Sequence, residues 1–407
     1  MLYVKIIIEI RIFIYRYNLN THEGQDMRDI TDYGTLMDYD SFEPKEYPVR
    51  HKRKVPFRPY PMLPFGYRER ISKINDLDRT LDSYILGSED YFELVVEAYS
   101  SNTHWSTKIE GNPLSEDEVY RLTRRFTSGQ LKEKTNGPSQ EILNHMYPLF
   151  KRWDTAEWDL PFSNMIHSLL MKDTGYSGDP NAVRKEEVSV YGGDGFEYFI
   201  ACPPAHISCE MGSLFAWLNG SPYEPVCTAS LFFHEYESIH PYMDGNGRTG
   251  RMLFQMLLQK LGLKYCGLCK FEQQLLKNTE RFYTLMAYTD ESGDYAPFVS
   301  YVTDSLVNAY EEAVMAFGRK DRLKDADEVT RTIARKAKKT RRFVTRDVEG
   351  WMPAYSRSTV RNRLSDLTDM GILRKEGNGR STVYVFDDPF EQIRRTVEQT
   401  DTVPGRN

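Results

Sequence analysis

The stretch that decides the fold is His240-Pro-Tyr-Met-Asp-Gly-Asn-Gly-Arg-Thr-Gly-Arg251. It lies between two apolar runs with helical periodicity, residues 226–239 and 252–261. A loop in this position delivers backbone N–H groups to the start of the second helix, where anions bind. The sequence therefore predicts two helices joined by an anion-binding loop.

The residues of this loop are of the kinds that bind phosphate. Gly245 and Gly247 allow the backbone to approach a phosphate closely. Arg248 and Arg251 stand about one helical turn apart, so both guanidinium groups can grip successive phosphates. The loop is therefore expected to bind a chain of phosphates rather than a single anion.

Two further side chains of the loop can take part in chemistry. His240 is a titratable base at the loop entrance, and Asp244 is a hard oxygen ligand suited to a Mg²⁺ ion shared with phosphate oxygens. The glycines also match the dinucleotide-binding fingerprint, but that motif follows a strand, whereas the run before this loop is helical. A purely structural turn would not need a histidine, an acid and two arginines so close together.

Composition limits the class of protein. The 407 residues hold 53 Lys and Arg against 59 Asp and Glu, a net charge of −6, so the chain as a whole is not built to coat polyanions. Five cysteines do not form a disulfide framework and favour a reduced compartment. No apolar run approaches the roughly 20 residues of a membrane span. We expect a cytoplasmic protein with no membrane partner.

The N-terminal residues need separate treatment. Residues 5–15 are apolar, but Glu9 and Arg11 interrupt them where a signal peptide needs an unbroken apolar stretch. Isoleucines alternate at positions 8–14, the period of a half-buried strand. The sequence leaves open whether these residues form a docked strand or an extension.

The chain divides by composition into segments. Residues 56–64 are rich in proline and predict an extended arm. Gly111-Asn-Pro113 ends one helix, and Ser115 with Glu118 begins the next. Residues 188–200 predict a β-hairpin about a glycine-rich turn. The predicted segments are an N-terminal extension or arm (1–55), a helical region (56–137), a helical core (138–318), a basic linker (319–342), a compact third unit (343–390) and a tail (391–407).

The 240–251 stretch resembles the signature of Fic-domain proteins, His-x-Phe-x-acid-Gly-Asn-Gly-Arg-x-x-Arg, with Tyr242 in place of the usual phenylalanine. The resemblance implies a mainly α fold, a Fic-type helical bundle with a β-hairpin flap. It also implies a nucleotidyltransferase that moves AMP from ATP to a Ser, Thr or Tyr hydroxyl of a target protein. A donor other than ATP, such as one that transfers UMP, is an alternative.

The resemblance assigns a role to each matching residue. His240 would deprotonate the target hydroxyl, and Asp244 would hold Mg²⁺ against the phosphates. The flap would pair with an extended segment of the target. Phe282-Tyr283 would lie near the adenine. The implied nucleotide-binding residues are Val188, Ser189, Val190, Tyr191, Asp244, Gly245, Asn246, Gly247, Arg248, Thr249, Gly250 and Arg251.

Residues 106–111, Ser-Thr-Lys-Ile-Glu-Gly, resemble the inhibitory motif of the same family. Glu110 would pair with Arg251 in place of the γ-phosphate and leave ATP in an unproductive pose, and Ser106 belongs to the same motif. The same Glu110 is a candidate to orient a water molecule for removal of AMP from the target.

The third unit has the order of a winged helix. A helix is predicted over 356–369, followed by Gly371-Ile-Leu373 and a basic hairpin. The expectation is a winged-helix α+β unit, and the sequence leaves open whether it binds DNA, docks a protein target or forms a homodimer. A rival function is therefore a DNA-binding regulator whose Fic core only senses nucleotide.

Overall fold

The computed structural model describes residues 37–401 apart from 132–134, 154, 192–194, 380–381 and 387. Helices dominate this part of the chain, which confirms the predicted mainly α fold. Within these ranges, no helix is both long and apolar enough to cross a membrane. The alternating isoleucines at 8–14 lie outside the described residues, as do residues 402–407.

The first helices along the chain are α1 (Tyr67–Ser83), α2 (Ser88–Lys108), α3 (Glu116–Thr127) and α4 (Gly137–Phe150). The start of α3 is the predicted capping box: Ser115 Oγ accepts from the Glu118 N–H at 3.4 Å, and the Glu118 carboxylate accepts from the Ser115 N–H at 2.9 Å. Helix α2 ends shortly before Gly111, whose φ of +93° suits glycine.

The core helices are α5 (Leu160–Met171), α6 (Pro204–Leu218), α7 (Pro225–Ile239), α8 (Asn246–Lys260), α9 (Phe271–Leu276), α10 (Thr279–Ser292) and α11 (Ala296–Lys320). Helices α7 and α8, both predicted from the sequence, pack against each other. Nearly every residue of α7 is buried, and Phe232 and Phe233 are fully inaccessible. A helix covered on all sides belongs at the centre of a bundle, so the loop that follows it is anchored on both sides.

A small sheet covers one end of the core. Strands β2 (Ser189–Tyr191) and β3 (Glu197–Ile200) form the predicted antiparallel hairpin, which we call the flap (188–200). Strand β1 (Val49–Arg50) pairs with β3 in parallel, Val49 opposite Phe199. The strand order β1-β3-β2 leaves β2 at an edge of the described sheet.

The segment before α1 packs against the core helices. Phe57 is 4% exposed and meets the Trp217 ring edge-on, with the centroids 5.0 Å apart. Lys54 Nζ lies 2.6 Å from the carboxylate of Glu235 on α7. The arm is thus part of the packed structure around α7.

The third unit has its own core, and it begins earlier than predicted. It contains α12 (Glu328–Thr340), β4 (Arg342–Val344), α13 (Thr345–Trp351), α14 (Arg357–Asp369), β5 (Arg374–Glu376) and β6 (Val383–Val385), with an antiparallel sheet of order β4-β6-β5. Residues 319–342 differ from a linker because Ile333, Ala334 and Ala337 form an apolar stripe that packs against Val348 and Leu364. The winged-helix interpretation stays a prediction.

The predicted tail also differs. Residues 389–401 form α15 (Pro389–Asp401), which packs on α2, α3 and α4. Phe390, Ile393 and Val397 recur at helical spacing, and Ile393 and Val397 are 3% and 0% exposed. Burial of this stripe holds the described part of the tail against the N-terminal helices.

Candidate active site

Two left-handed residues shape the loop between α7 and α8. His240 has φ 54° and ψ 63°, and Gly245, just before α8, has φ 77°. A non-glycine residue in this region is uncommon and marks a constrained position. A Cβ at Gly245 would lie 2.6 Å from Met171 Sδ. Both the left-handed backbone and this close approach therefore favour glycine at position 245. The loop reverses the chain and brings His240 next to the start of α8.

The loop is closed from within by Asn246. Its side-chain oxygen accepts from the Tyr242 N–H and its side-chain N–H₂ donates to the Tyr242 carbonyl, both at 2.7 Å. The buried Tyr242 ring stacks on His167 with centroids 3.7 Å apart, which fits the predicted apolar anchor. Because both ends of the Asn246 amide are used here, a nucleotide would meet its backbone N–H rather than its side chain.

His240 is arranged as a base. Its Nδ1 lies 3.3 Å from the Glu237 carbonyl, which can only accept, so Nδ1 carries the proton and Nε2 has a free lone pair. Burial lowers the pKa of His240 to about 4, against the opposing effect of Glu110. The imidazole is therefore neutral near pH 7 and can accept a proton.

A buried arginine ties this loop to the flap. Arg184, 4% exposed, donates through Nε to the His240 carbonyl and through Nη1 to the Glu186 carbonyl, both at 2.8 Å. It also donates to the Cys202 carbonyl where the flap ends. One side chain therefore fixes the position of His240 relative to the strands.

Arg251 is surrounded by acceptors and lies 3% exposed. Glu110 Oε1 is 2.7 Å from its Nη2, and Ser106 accepts at Oγ from Nε (2.9 Å) and at its carbonyl from Nη2 (2.8 Å). The structure thus places both residues of the predicted inhibitory motif on this arginine. A Cβ at Gly247 would come 2.2 Å from Glu110 Oε1, so the glycine makes room for this contact.

Two buried acids lie close to the same guanidinium. Glu272 Oε2 is 3.5 Å from Arg251 Nε. Burial raises the pKa of Glu272 to about 7 and that of Glu237 to about 8, while Arg251 lowers both. Near pH 7 Glu272 and Glu237 therefore hold protons in part.

Arg248 has a different set of partners. Its Nη1 lies 2.5 Å from Glu141 Oε1, and its Nη2 lies 2.9 Å from Asp244 Oδ1. Both arginines of the loop are thus paired with carboxylates. A ligand with several phosphates would find two preformed guanidinium groups on one face of α8.

Asp244 has the properties of a magnesium ligand. Its side chain is 60% exposed. It lines a cavity of about 750 Å³ together with Glu110, Glu141 and Arg248. Mg²⁺ takes one or two carboxylates and fills its other positions with water and phosphate oxygens, so an exposed carboxylate beside a polar cavity fits that ion.

A second group of ligating side chains lies behind the loop. Atoms of His51, Cys202 and Glu210 come within 4.8 Å of one another. His51 bonds Glu210 through Nε2 and Ser238 through Nδ1, both at 2.8 Å. These hydrogen bonds already satisfy the ring, and they join the arm to α6 and α7.

The other predicted nucleotide-binding residues are placed as follows. Val188, Ser189 and Val190 are partly buried on the flap, and Tyr191 is 62% exposed. Thr249 Oγ1 and the Thr249 N–H both donate to the Gly245 carbonyl, at 2.8 and 2.9 Å, so neither is free to meet a ligand. A Cβ at Gly250 would lie 2.0 Å from Glu237 Oε1. Of the two aromatic residues 282–283, Phe282 is buried and Tyr283 is 43% exposed.

Sequence reasoning missed Arg184, Glu141, Glu237 and Glu272 as parts of this site. Glu237 lies on the predicted helix before the loop, where a charged residue among apolar ones was the available signal. Glu141 lies 107 positions from its partner Arg248, so no local pattern reveals the contact.

Part of the chain is similar to known proteins. Residues 159–258 match the model of the Fic/DOC family. A protein named protein adenylyltransferase Fic from Nematostella vectensis is 24% identical over 259 residues, 60% of this chain and 56% of that protein. A protein of the same name from Drosophila willistoni is 35% identical over 218 residues, 51% of this chain and 40% of that protein. The match therefore spans about half the length of these curated relatives.

The fold has a counterpart among solved structures. The crystal structure of a Fic family protein from Desulfovibrio desulfuricans aligns with a TM-score of 0.54 at 20% sequence identity. The alignment covers 81% of this chain and 98% of that one. At this identity the likeness shows a shared fold, including much of the chain outside residues 159–258.

Proposed function

We propose that this chain, whose residues 159–258 match the model of the Fic/DOC family, is a protein adenylyltransferase that moves AMP from ATP to a hydroxyl side chain. The observation that carries the proposal is the position of a neutral His240 beside two arginines. His240 lies at the entrance of the loop with Nε2 free to accept a proton, and Arg248 and Arg251 lie on the first turns of α8, after the loop. A base, an anion-binding helix start and paired arginines are what attack on a phosphate needs, because that chemistry depends mainly on positioning and charge.

The proposed reaction uses few groups. His240 Nε2 takes the proton of a Ser, Thr or Tyr hydroxyl, and the oxygen forms a bond to the α-phosphorus. The bond from that phosphorus to the bridging oxygen of the β-phosphate breaks, and pyrophosphate leaves. Arg248 and Arg251 hold the outer phosphates at the start of α8. Asp244 would hold Mg²⁺, which when bound supplies positive charge to the phosphate oxygens.

The target is proposed to bind along the flap. Strand β2 stands at an edge of the described sheet, with β3 and β1 on its other side. An extended target segment can add to such an edge through backbone hydrogen bonds. Residues 188–191 would then border both the target and the nucleotide.

The described conformation is proposed to be inhibited. Glu110 and Ser106 occupy Arg251, the guanidinium that the γ-phosphate would otherwise meet. ATP can enter without displacing Glu110 only in a pose in which its outer phosphates are misplaced. Removal of AMP from a modified target through a water held by Glu110 is a second proposed activity of the same site.

A DNA-binding regulator is the second candidate function. Helix α14 exposes Ser358, Arg361 and Asn362, which are residues that contact phosphates and base edges. In this alternative the Fic domain binds nucleotide without transferring any group.

Labelled ATP separates these functions. The full chain with Glu110→Gly is incubated with Mg²⁺, a host lysate and ATP labelled at either the α- or the γ-phosphate. Adenylyl transfer predicts protein-bound label from α-labelled ATP, and no label from γ-labelled ATP on the purified chain incubated without lysate. Absence of protein-bound label from either, in a variant shown to bind ATP, would contradict the proposal and favour the regulator.

A further inference from the structure

Arg248 is held from two sides. Glu141 on α4 contacts Nη1 at 2.5 Å and Asp244 contacts Nη2 at 2.9 Å. The Arg248 side chain is 8% exposed and that of Glu141 is 15% exposed, so water screens this pair weakly. The contact with Glu141 is therefore an oriented, partly desolvated ion pair rather than a mobile surface pair.

Glu141 is itself fixed. Its second oxygen, Oε2, accepts from Asn112 Nδ2 at 2.7 Å. Asn112 also donates to the Pro138 carbonyl at 3.1 Å, at the start of the helix that carries Glu141. With one oxygen on Asn112 and the other on Arg248, the carboxylate has one orientation. A fixed acceptor fixes the plane of the guanidinium that donates to it.

The pairing does not use every donor of Arg248. In the part of the chain that the structure describes, the buried Nε of Arg248 has no hydrogen-bond partner. Its Nη2 is shared with Asp244, which is largely exposed and is the proposed ligand of Mg²⁺. Glu141 is thus the partner of Arg248 that a nucleotide and its metal would not need to displace.

We propose that Glu141 is a positioning residue, which orients Arg248 for the outer phosphates of the nucleotide. The inference rests on the proposed function, since it takes phosphate as the ligand of Arg248. It assigns helix α4 a part in nucleotide binding, separate from the inhibitory motif at residues 106–111. Glu141 acts through Arg248 and touches no reacting atom.

A double-mutant cycle on binding tests the proposal. All variants carry Glu110→Gly in the full chain, and titration calorimetry with Mg²⁺ measures the affinity for ATP and for AMP. Glu141→Gln is expected to weaken ATP binding about tenfold, and to leave AMP binding unchanged because AMP lacks the outer phosphates. In the presence of Arg248→Ala, the same change should have no further effect. Glu157→Gln, at an exposed position, controls for the loss of a charge.

Three results would overturn the proposal. Equal losses of affinity for ATP and AMP in Glu141→Gln would point to general damage to the fold. If Glu141→Gln weakened ATP binding as much in the Arg248→Ala background, Glu141 would not act through Arg248. Tighter ATP binding in Glu141→Gln would show that Glu141 competes with phosphate. Because the cycle measures ATP binding, its result does not depend on whether the chain transfers label to protein. The proposal for Glu141 can therefore fail without the proposed transfer activity failing, and the reverse.

Discussion

Replacing Glu110 with glycine is expected to raise the affinity of the full chain for ATP with Mg²⁺ by about 30-fold. Glu110 Oε1 lies 2.7 Å from Arg251 Nη2, the guanidinium that the proposed function assigns to the outer phosphates. A hydrogen bond between charged groups contributes about 1.5–3 kcal/mol. The Arg251 side chain is 3% exposed and that of Glu110 25%, so solvent screens the pair in part and about 2 kcal/mol is the expected cost of displacing Glu110.

Titration calorimetry with ATP measures this change directly. Lys108→Gly is the matched control, because this exposed residue is the last of α2, just before Glu110, and makes no hydrogen bond or ion pair with Arg251 in the described part of the chain. AMP is the control ligand, and its affinity should be the same in wild type and Glu110→Gly. Equal ATP affinities in the two proteins would refute the competition between Glu110 and the phosphates.

Three further changes test other parts of the site. His240→Ala, in the Glu110→Gly background, should lower the initial rate of transfer by about 10²–10⁴-fold and leave the ATP affinity unchanged, because it removes only the base; a loss of ATP affinity would contradict that role. Arg184→Met should lower the free energy of unfolding in urea by about 3 kcal/mol, because buried carbonyls of the loop and flap lose their donor; an unchanged value would mean that water replaces the donor. Glu237→Gln should gain stability relative to wild type as the pH rises, by about 1 kcal/mol per pH unit between about pH 5 and 8. Burial raises the pKa of Glu237 to about 8, so the folded wild type keeps a proton that the unfolded chain releases, and its stability falls as the pH rises; parallel pH profiles of unfolding in urea would contradict this.

Elements with strong local signals could be predicted from the sequence. The two helices around the loop follow from apolar runs, and the start of α3 follows from Ser115 and Glu118. The hairpin follows from alternating residues about glycines. In each case the deciding interactions lie within a few residues of one another along the chain.

The parts that were missed depend on distant contacts. Helix α12 is rich in lysine and arginine, which is typical of an exposed linker. Its apolar stripe at Ile333, Ala334 and Ala337 is buried by the core of the third unit, which lies further along the chain. Strand β1 is two residues long and exists because β3 offers an edge. Glu141 meets Arg248 through tertiary packing of α4 on α8. No local pattern marks such a partner.

The central claim is that the site transfers AMP with His240 as its base and that Glu110 restrains this transfer. Transfer of α-labelled ATP onto the chain itself and onto a host lysate tests both parts at once, in wild type, Glu110→Gly, and Glu110→Gly with His240→Ala. The account predicts label that rises in the single variant and vanishes in the double variant. Label that persists without His240, or none in Glu110→Gly although it binds ATP, would contradict it.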